Sequence, residues 1–360
     1  MTAIAFFLGA NTPGGFVGFM PTCYVPAEGW RAYIIKGGPG SGKSTFMRRI
    51  LERLTDAGEE AEAIYCSSDP GSLDGVRFPR LRAVVLDGTA PHVLEPRYWG
   101  ACETIIPLAA CADNAYLRQN ADAIRLATDA CSERHACCRG FLATAASLLA
   151  DSRRTALACT DTDKVVRTAA RIAERELADA APGREERRFL SAVTPEGEKI
   201  FYGTLQALCP RIYVIEDEYG AAGGLLLGEL RQRARDRGLA AIACTCPLAP
   251  EEKVEHLLFP SIGVGFTLSN PWHKADFPAY RRLHAARFTD EDALRERRQR
   301  LAFNRRAARE LLGEAVGVAA EAKALHDEME RYSREAMDFA AVDRLCDDVT
   351  AELLALHEAV

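Results

Sequence analysis

The feature that most constrains this chain is a glycine-rich loop between an apolar run and an amphipathic segment. Residues 31–45 read RAYIIKGGPGSGKST and contain the spacing G-x-x-x-x-G-K-[ST]. The run AYII is typical of a short buried strand, and Phe46, Ile50 and Leu54 follow at helical spacing. A strand, a glycine-rich loop and a helix in this order predict an α/β fold with a phosphate-binding helix N-terminus.

The chemistry of the loop predicts a nucleotide site. Glycines let successive backbone N–H groups approach phosphate oxygens without a side-chain clash. Lys43 is predicted to reach the β and γ phosphates, and the Ser44 hydroxyl to ligate Mg²⁺. We expect ATP rather than GTP, because no N-K-x-D-type guanine motif is found in the sequence. The predicted cofactors are therefore ATP and Mg²⁺, and the predicted nucleotide-binding residues are Gly37, Gly38, Pro39, Gly40, Ser41, Gly42, Lys43, Ser44 and Thr45.

Two acidic residues at predicted strand ends complete the candidate catalytic set with Lys43. Asp87 follows the apolar run AVVL, a pattern typical of a carboxylate that supports the Mg²⁺ shell. Asp69 follows the run EAIYCSS and is the rival candidate, either for a metal-bound water or for a proton from a substrate hydroxyl. The alternative for Asp69 is a turn before Pro70.

An internal repeat of about 180 residues is predicted from the match of residues 31–47 to residues 211–227. The stretch RIYVIEDEYGAAGG then corresponds to the first strand and loop of a second copy. In that copy Gly223 stands where the first has Lys43, and Asp217 stands where the first has Gly37. We expect this second loop to bind no nucleotide; the alternative is an acidic motif that serves the first copy across an interface.

The repeat also separates functional from structural candidates. Lys43, Ser44, Asp69 and Asp87 have no counterpart in the second copy, where Ala249 and Leu268 replace the two acids. A second set occurs in both copies and is interpreted as structural; it consists of Tyr33, Pro70, Pro79 and His92.

The repeat predicts two α/β units, each with a parallel sheet of the P-loop type and a helical extension. The extensions are rich in Ala, Leu and Arg with helical periodicity. The predicted units are 1–182 (core 1–100, extension 101–182) and 183–360 (core 183–280, extension 281–360).

Composition excludes several classes of protein. The chain has 360 residues and a net charge of −6, so no global positive field draws it to nucleic acid or to an anionic membrane. Its twelve cysteines are not those of a short secreted disulfide scaffold. The N-terminal apolar run has no preceding basic residue, so it is a poor signal peptide. We expect a cytoplasmic protein with reduced thiols and no membrane partner.

Two weaker patterns leave alternatives open. Cys131, His135 and Cys138 share one helix face and could ligate a metal, but cysteine is also a common buried residue. Residues 295–309, RERRQRLAFNRRAAR, could bind a polyanion or supply an arginine to the nucleotide. A solvated face with acidic neighbours is the simpler interpretation.

The motifs YIIKGGPGSGKS, YCSSDPGSLDG, LDGTAPH, SAVTPEG and PEEKVEHLLFP together resemble a family of bacterial ATPase-like proteins with tandem phosphate-loop units. The resemblance covers nearly the whole chain and implies a P-loop fold and ATP binding, without naming a substrate. Members often carry a phosphate loop in both units, and this chain departs from that pattern at Gly223 and Gly224.

The predicted function is binding and hydrolysis of Mg-ATP in the first unit, beside a second unit without nucleotide. Two alternatives stay open. One is a phosphotransferase in which Asp69 activates a small acceptor, and the other is a non-catalytic nucleotide switch in which the second unit responds to the nucleotide state of the first. The partner is expected to be an unknown protein or a small acceptor.

Overall fold

The computed structural model describes residues 4–359 as an α/β protein with two six-stranded sheets, two two-stranded hairpins and helices packed against them. The strands are β1 (Ile4–Phe6), β2 (Gly9–Thr12), β3 (Gly15–Gly18), β4 (Arg31–Ile35), β5 (Glu62–Tyr65), β6 (Leu73–Phe78), β7 (Ala83–Asp87), β8 (Glu103–Ile106), β9 (Glu185–Arg188), β10 (Ser191–Thr194), β11 (Gly197–Ile200), β12 (Arg211–Glu216), β13 (Ala241–Cys246), β14 (Ala249–Phe259), β15 (Val264–Ser269) and β16 (Arg281–His284). The helices are α1 (Lys43–Asp56), α2 (Asn114–Gln119), α3 (Ala121–Leu157), α4 (Thr162–Glu176), α5 (Tyr202–Leu208), α6 (Ala222–Asp236), α7 (Glu291–Glu296), α8 (Arg298–Ala336) and α9 (Phe339–Ala359).

The two six-stranded sheets have the same strand order. The first runs β1-β5-β6-β7-β4-β8, and the second runs β9-β13-β14-β15-β12-β16. The pairing directions also agree from strand to strand. In each unit an antiparallel hairpin follows the first strand of the sheet, β2–β3 after β1 and β10–β11 after β9. The stretch 211–224 is the strand β12, its loop and the start of α6, as its match to β4 and α1 predicts.

The expectation of a parallel sheet needs correction, because both sheets are mixed. Strand β6 pairs antiparallel with both β5 and β7, and β14 does the same with β13 and β15. The cause is the length of the connections, since a parallel pair needs a crossover of about a dozen or more residues. The loops 66–72 and 79–82 are too short for that and make hairpins instead.

The predicted boundaries between cores and helical extensions also shift. Residues 103–106 form β8, which pairs with β4, although this region is expected to be helical. Residues 281–284 form β16, which pairs with β12. Each extension therefore contributes an edge strand to the sheet before its helices begin.

The helical extensions, which the sequence predicts to follow each unit, place their last long helices on the opposite unit. Helices α3 and α8 lie side by side along most of their length. Helix α4 packs on α6, so Val165, Ala169 and Ile172 belong to the core of the second sheet. Helix α9 packs on α1, so Val342 and Leu353 belong to the core of the first.

The two sheets meet at the ends of β1 and β9. Phe7 and Phe189 exchange backbone hydrogen bonds there, of 3.0 and 2.9 Å. Beside them Arg188, with 1% of its surface exposed, is paired with Glu62 of the first sheet at 2.7 Å. Arg77 also joins the sheets, because it contacts Glu62 at 3.1 Å and Glu186 at 3.0 Å.

Among residues 4–359, none of the helices combines the length and the apolar character needed to cross a bilayer. All twelve cysteines are unpaired thiols in this part of the chain.

Candidate functional site

The first glycine-rich loop connects the carboxyl end of β4 to the N-terminus of α1. Gly40 and Gly42 have φ values of +74° and +88°, which only glycine adopts without strain. The N-cap residue Gly42 has no side chain that could accept a hydrogen bond from the first-turn N–H groups of α1. The first-turn N–H groups of α1 are therefore available to an anion.

Lys43 and Asp87 are brought together, as their predicted roles require. Ile35 is the register partner of Asp87, because β4 and β7 are adjacent and parallel. The Lys43 ammonium lies 3.6 Å from Asp87 Oδ2 and donates to the carbonyls of Gly37 at 2.7 Å and Gly38 at 2.9 Å. Both side chains are more than four-fifths buried. The pair places one positive and one negative charge at the mouth of the loop.

Burial raises the pKa of Asp87, while Lys43 and the amide of Thr89 lower it; the net shift is upward. The Thr89 amide donates to Asp87 Oδ1 at 2.8 Å, and the Thr89 hydroxyl donates to the Gly37 carbonyl at 2.9 Å. Thr89 therefore ties the carboxylate-bearing strand end to the loop. Thr89 is not among the residues predicted for this site, although it lies only two positions after Asp87.

Ser44 and Thr45 occupy different environments. The Ser44 hydroxyl accepts a 3.0 Å hydrogen bond from the amide of Leu73 at the start of β6. This hydrogen bond holds the hydroxyl at the start of β6. The oxygen keeps a second lone pair that can bind a cation. Thr45 is exposed on the first turn of α1.

Asp69 lies in the loop 66–72, beyond the end of β5. Its Oδ2 accepts a 2.6 Å hydrogen bond from Ser72, and Lys323 of α8 lies 3.6 Å from its Oδ1. Lys199 of β11 donates to the neighbouring Pro70 carbonyl at 3.4 Å. Two lysines from the second half of the chain thus reach the same loop. Their sequence positions carry no signal of this, because only the tertiary fold brings them there.

Helix α8 closes over the first loop. A Cβ on Gly40 would lie 2.4 Å from the Glu330 carbonyl, and one on Gly38 would lie 3.9 Å from the Ser333 hydroxyl. A Cβ on Gly42 would lie 3.3 Å from the ring of Phe339, at the start of α9. The first loop therefore lies in close contact with two helices from the second half of the chain.

The second loop contains its own anion. Asp217 is buried, and its Oδ1 accepts from the amides of Tyr219 at 3.1 Å and Gly220 at 3.0 Å. Its Oδ2 accepts from the amide of Gly223 at 2.7 Å. By the sequence match, Gly220 and Gly223 correspond to Gly40 and Lys43, whereas Tyr219 corresponds to Pro39, which has no N–H group. The Asp217 carboxylate thus occupies three amides of the second loop.

The lysine position of the second loop is also closed. A Cβ on Gly223 would lie 2.5 Å from Leu268, which is the register equivalent of Asp87. Gly220 instead lies against Lys253, since a Cβ there would be 2.9 Å from its Cε. The Lys253 ammonium is 2.8 Å from Glu255. In the second loop Asp217 therefore accepts from backbone amides, and the adjacent Lys253 is paired with Glu255.

A cavity of about 530 Å³ lies beside the second loop rather than the first. Tyr219, Leu248 and Trp272 line it, together with alanines of α3. Its charged residues already have partners, because Arg305 pairs with Glu218. The cavity has the size of a small-molecule site, but its position separates it from Lys43 and Asp87.

The two weaker sequence patterns have structural explanations. Cys131 and Cys138 donate to the carbonyls of Ala322 and Ala315, both at 3.4 Å, so they face α8 in the helix interface. Burial lowers the pKa of His135, which lies between them on α3. The basic segment 295–309 spans the end of α7 and the start of α8, where Arg300 pairs with Asp151.

Comparison of the chain with family models, curated proteins and solved structures gave no match. The assignment of a function therefore depends on the geometry of the chain itself.

Proposed function

We propose that this protein binds Mg-ATP at residues 37–45 and hydrolyses it, and that its second loop binds no nucleotide. The observation that carries the proposal is the Lys43–Asp87 pair at the start of an uncapped helix. A cation that can contact phosphates lies at the start of α1, 3.6 Å from a carboxylate at the end of β7 that can support Mg²⁺.

The first loop fits a phosphate chain and the second does not. In the first, the left-handed glycines, the first-turn amides of α1 and Lys43 favour negative charge. In the second, Asp217 occupies the corresponding amides and Leu268 fills the lysine position. The contrast supports one nucleotide for each chain.

The common strand order of the two sheets supports an internal duplication. The strand register agrees with the sequence match, because Tyr33 pairs with Val85 as Tyr213 pairs with Phe266. We infer that both units descend from a P-loop-type ancestor and that the second lost its phosphate site. This interpretation agrees with the resemblance to proteins with tandem phosphate-loop units.

Replacement of Lys43 tests the site. We expect Lys43→Ala to weaken binding of a non-hydrolysable ATP analogue with Mg²⁺ by at least about tenfold, the equivalent of one 1.4 kcal/mol interaction. Calorimetric titration measures the affinity, and circular dichroism confirms the fold. Lys274→Ala, an exposed lysine far from the loop, is the matched control and should bind like the parent.

The same titration measures the stoichiometry. A value near one, lost in Lys43→Ala, supports the assignment. Two sites on each chain, or unchanged affinity and turnover in Lys43→Ala, would contradict it.

A nucleotide switch is the second candidate function, favoured by the packing of α8 over the loop at Gly40. Such a switch would bind ATP without turning it over and would pass the change to α8. Phosphate release in the absence and presence of small acceptors distinguishes an ATPase, a phosphotransferase and a switch.

A further inference from the structure

A second cluster of side chains with ligand chemistry lies near the proposed nucleotide site. Cys66 follows β5, Asp74 lies in β6 and His92 lies in the loop after β7. One ligand atom from each falls within 4.8 Å of the other two. Three different donor types, sulfur, oxygen and nitrogen, thus face one point.

The cluster has unsatisfied polar atoms. The side chains of Asp74 and His92 are each only 6% exposed. Asp74 Oδ2 and His92 Nε2 are 3.3 Å apart. Among the described residues, however, neither Asp74 Oδ2 nor His92 Nδ1 has a hydrogen-bond partner. Buried polar atoms are nearly always satisfied. Asp74 forms an ion pair with His92 only when the imidazole is protonated, and a bound metal ion would supply that positive charge instead.

The second unit contains the same trio, in which the carboxylate has a cationic partner. Among the described residues, His273 Nδ1 has no hydrogen-bond partner, as is also the case for His92 Nδ1. The strand registers match Val76 and Val85 with Leu257 and Phe266, which makes Glu255 the counterpart of Asp74. The other two counterparts are Cys246 for Cys66 and His273 for His92. His273 Nε2 lies 3.3 Å from Glu255 Oε1, the same separation as in the first unit.

The units differ by one cation. In the second unit the Lys253 ammonium lies 2.8 Å from Glu255 Oε1 and is buried with the trio. By the same register, the residue of the first unit that corresponds to Lys253 is Ser72. Its side chain is uncharged, and its hydroxyl donates a hydrogen bond to Asp69. The first trio therefore has the acid and the imidazole without the ammonium.

We propose that Cys66, Asp74 and His92 bind one divalent metal ion of the zinc class, in place of the ammonium that Lys253 supplies in the second unit. A thiolate, an imidazole and a carboxylate form a donor set that suits Zn²⁺. The thiol proton of Cys66 passes to solvent as the metal–sulfur bond forms. Three protein ligands leave a fourth position for a water or a substrate atom. This site is separate from the oxygen-ligated Mg²⁺ proposed at Ser44 and Asp87.

Cobalt titration tests the site, because Co²⁺ takes the place of Zn²⁺ and reports its ligands by absorption. Chelator-treated full-length protein without nucleotide should bind one Co²⁺ and show a thiolate-to-metal band in the near ultraviolet. Added Zn²⁺ should abolish the band. Cys66→Ser should remove the band and weaken Zn²⁺ binding at least about tenfold. Cys246→Ser, the equivalent change in the second unit, should leave both unchanged.

A second variant reproduces the arrangement of the second unit. Ser72→Lys places an ammonium beside Asp74 and should abolish Zn²⁺ binding while the protein remains folded by circular dichroism. The proposal is overturned if the parent shows no thiolate band, or if Cys66→Ser keeps the full band. Zn²⁺ binding at parental affinity in a folded Ser72→Lys protein would also overturn it. Since nucleotide is absent throughout, these outcomes are independent of the proposed ATPase.

Discussion

At the scale of single residues, Asp217 binds three backbone amides of the second loop. Its carboxylate accepts from the amides of Tyr219, Gly220 and Gly223. We expect Asp217→Ala to destabilise the protein by about 2–4 kcal/mol, because each buried donor left unpaired costs about 1–3 kcal/mol and relaxation recovers part of the total. Urea unfolding monitored by circular dichroism measures the loss.

The control for this change is Glu218→Ala, a neighbouring acid that is exposed and paired with Arg305. It should change stability by less than about 1 kcal/mol. Equal effects of the two substitutions would contradict the role given to Asp217. Asp217→Ala should also create no nucleotide site, since Leu268 still fills the lysine position.

The environment of Asp87 predicts the pH dependence of activity. Burial raises its pKa above the ordinary value of 3.8, and Lys43 opposes that shift. Because the folded pKa is raised, ionisation of Asp87 works against stability as pH rises through it, yet Mg²⁺ support requires the ionised form. Turnover should therefore fall on acidification with a midpoint above 3.8. Initial rates measured as a function of pH give the midpoint. The residual activity of Asp87→Asn should not show this acidic fall.

Asp69→Asn is the comparison that identifies the magnesium-supporting acid. Asp69 lies in a loop and contacts Ser72 and Lys323 rather than Lys43. Asp87→Asn should raise the Mg²⁺ concentration needed for half-maximal activity, while Asp69→Asn should leave it near the parental value. The reverse result would exchange the roles of the two acids.

Local sequence could predict part of the candidate site and none of its remote members. Lys43 and Asp87 each follow a recognisable strand, and a parallel arrangement brings such strand ends together. Lys199 and Lys323 reach the loop through hairpin and helix packing that no local pattern encodes. The occupation of the second loop also could not be predicted from sequence. The charge of Asp217 does not show that its carboxylate accepts hydrogen bonds from amides of its own loop.

At the scale of elements, β6 shows why patterns of hydrophobicity fail in places. It is buried along its whole length, yet it contains Asp74 and Arg77. Arg77 is tolerated because Glu62 and Glu186 pair with it, and both lie on other strands. From the sequence alone the segment resembles a polar turn, because its charged partners lie far away in the chain.

The α3–α8 interface depends on small residues. Ala322 and Ala315 are fully buried there, and the Cys131 and Cys138 thiols contact their carbonyls. We expect Ala322→Leu to cost about 1–3 kcal/mol, because the added carbon atoms must force the helices apart. Thermal or urea unfolding measures the change. Ala320→Leu, at an exposed position of α8, should be close to neutral. A neutral Ala322→Leu would contradict this close packing.

At the scale of the whole molecule, the exchange of helices makes each half depend on the other. Helix α9 covers α1 through Val342 and Leu353, and α4 covers α6 through Val165 and Ile172. The sequence predicts that these helices exist, but a repeat cannot show which copy each covers. The unit boundary near residue 182 separates sequence repeats and does not separate independent cores.

Separate expression of the two halves tests this dependence. Residues 1–182 alone should lack α9, and residues 183–360 alone should lack α4, so each would expose an apolar face. Each large apolar side chain returned to water costs about 1.5–3 kcal/mol, and a domain has only about 5–15 kcal/mol of stability to lose. We expect each half alone to bind a hydrophobic dye and to lack a cooperative thermal transition, whereas the two expressed together should form a soluble complex that unfolds in one step. A half that unfolds cooperatively by itself, with a midpoint near that of the full chain, would show that the exchanged helices contribute little to its core.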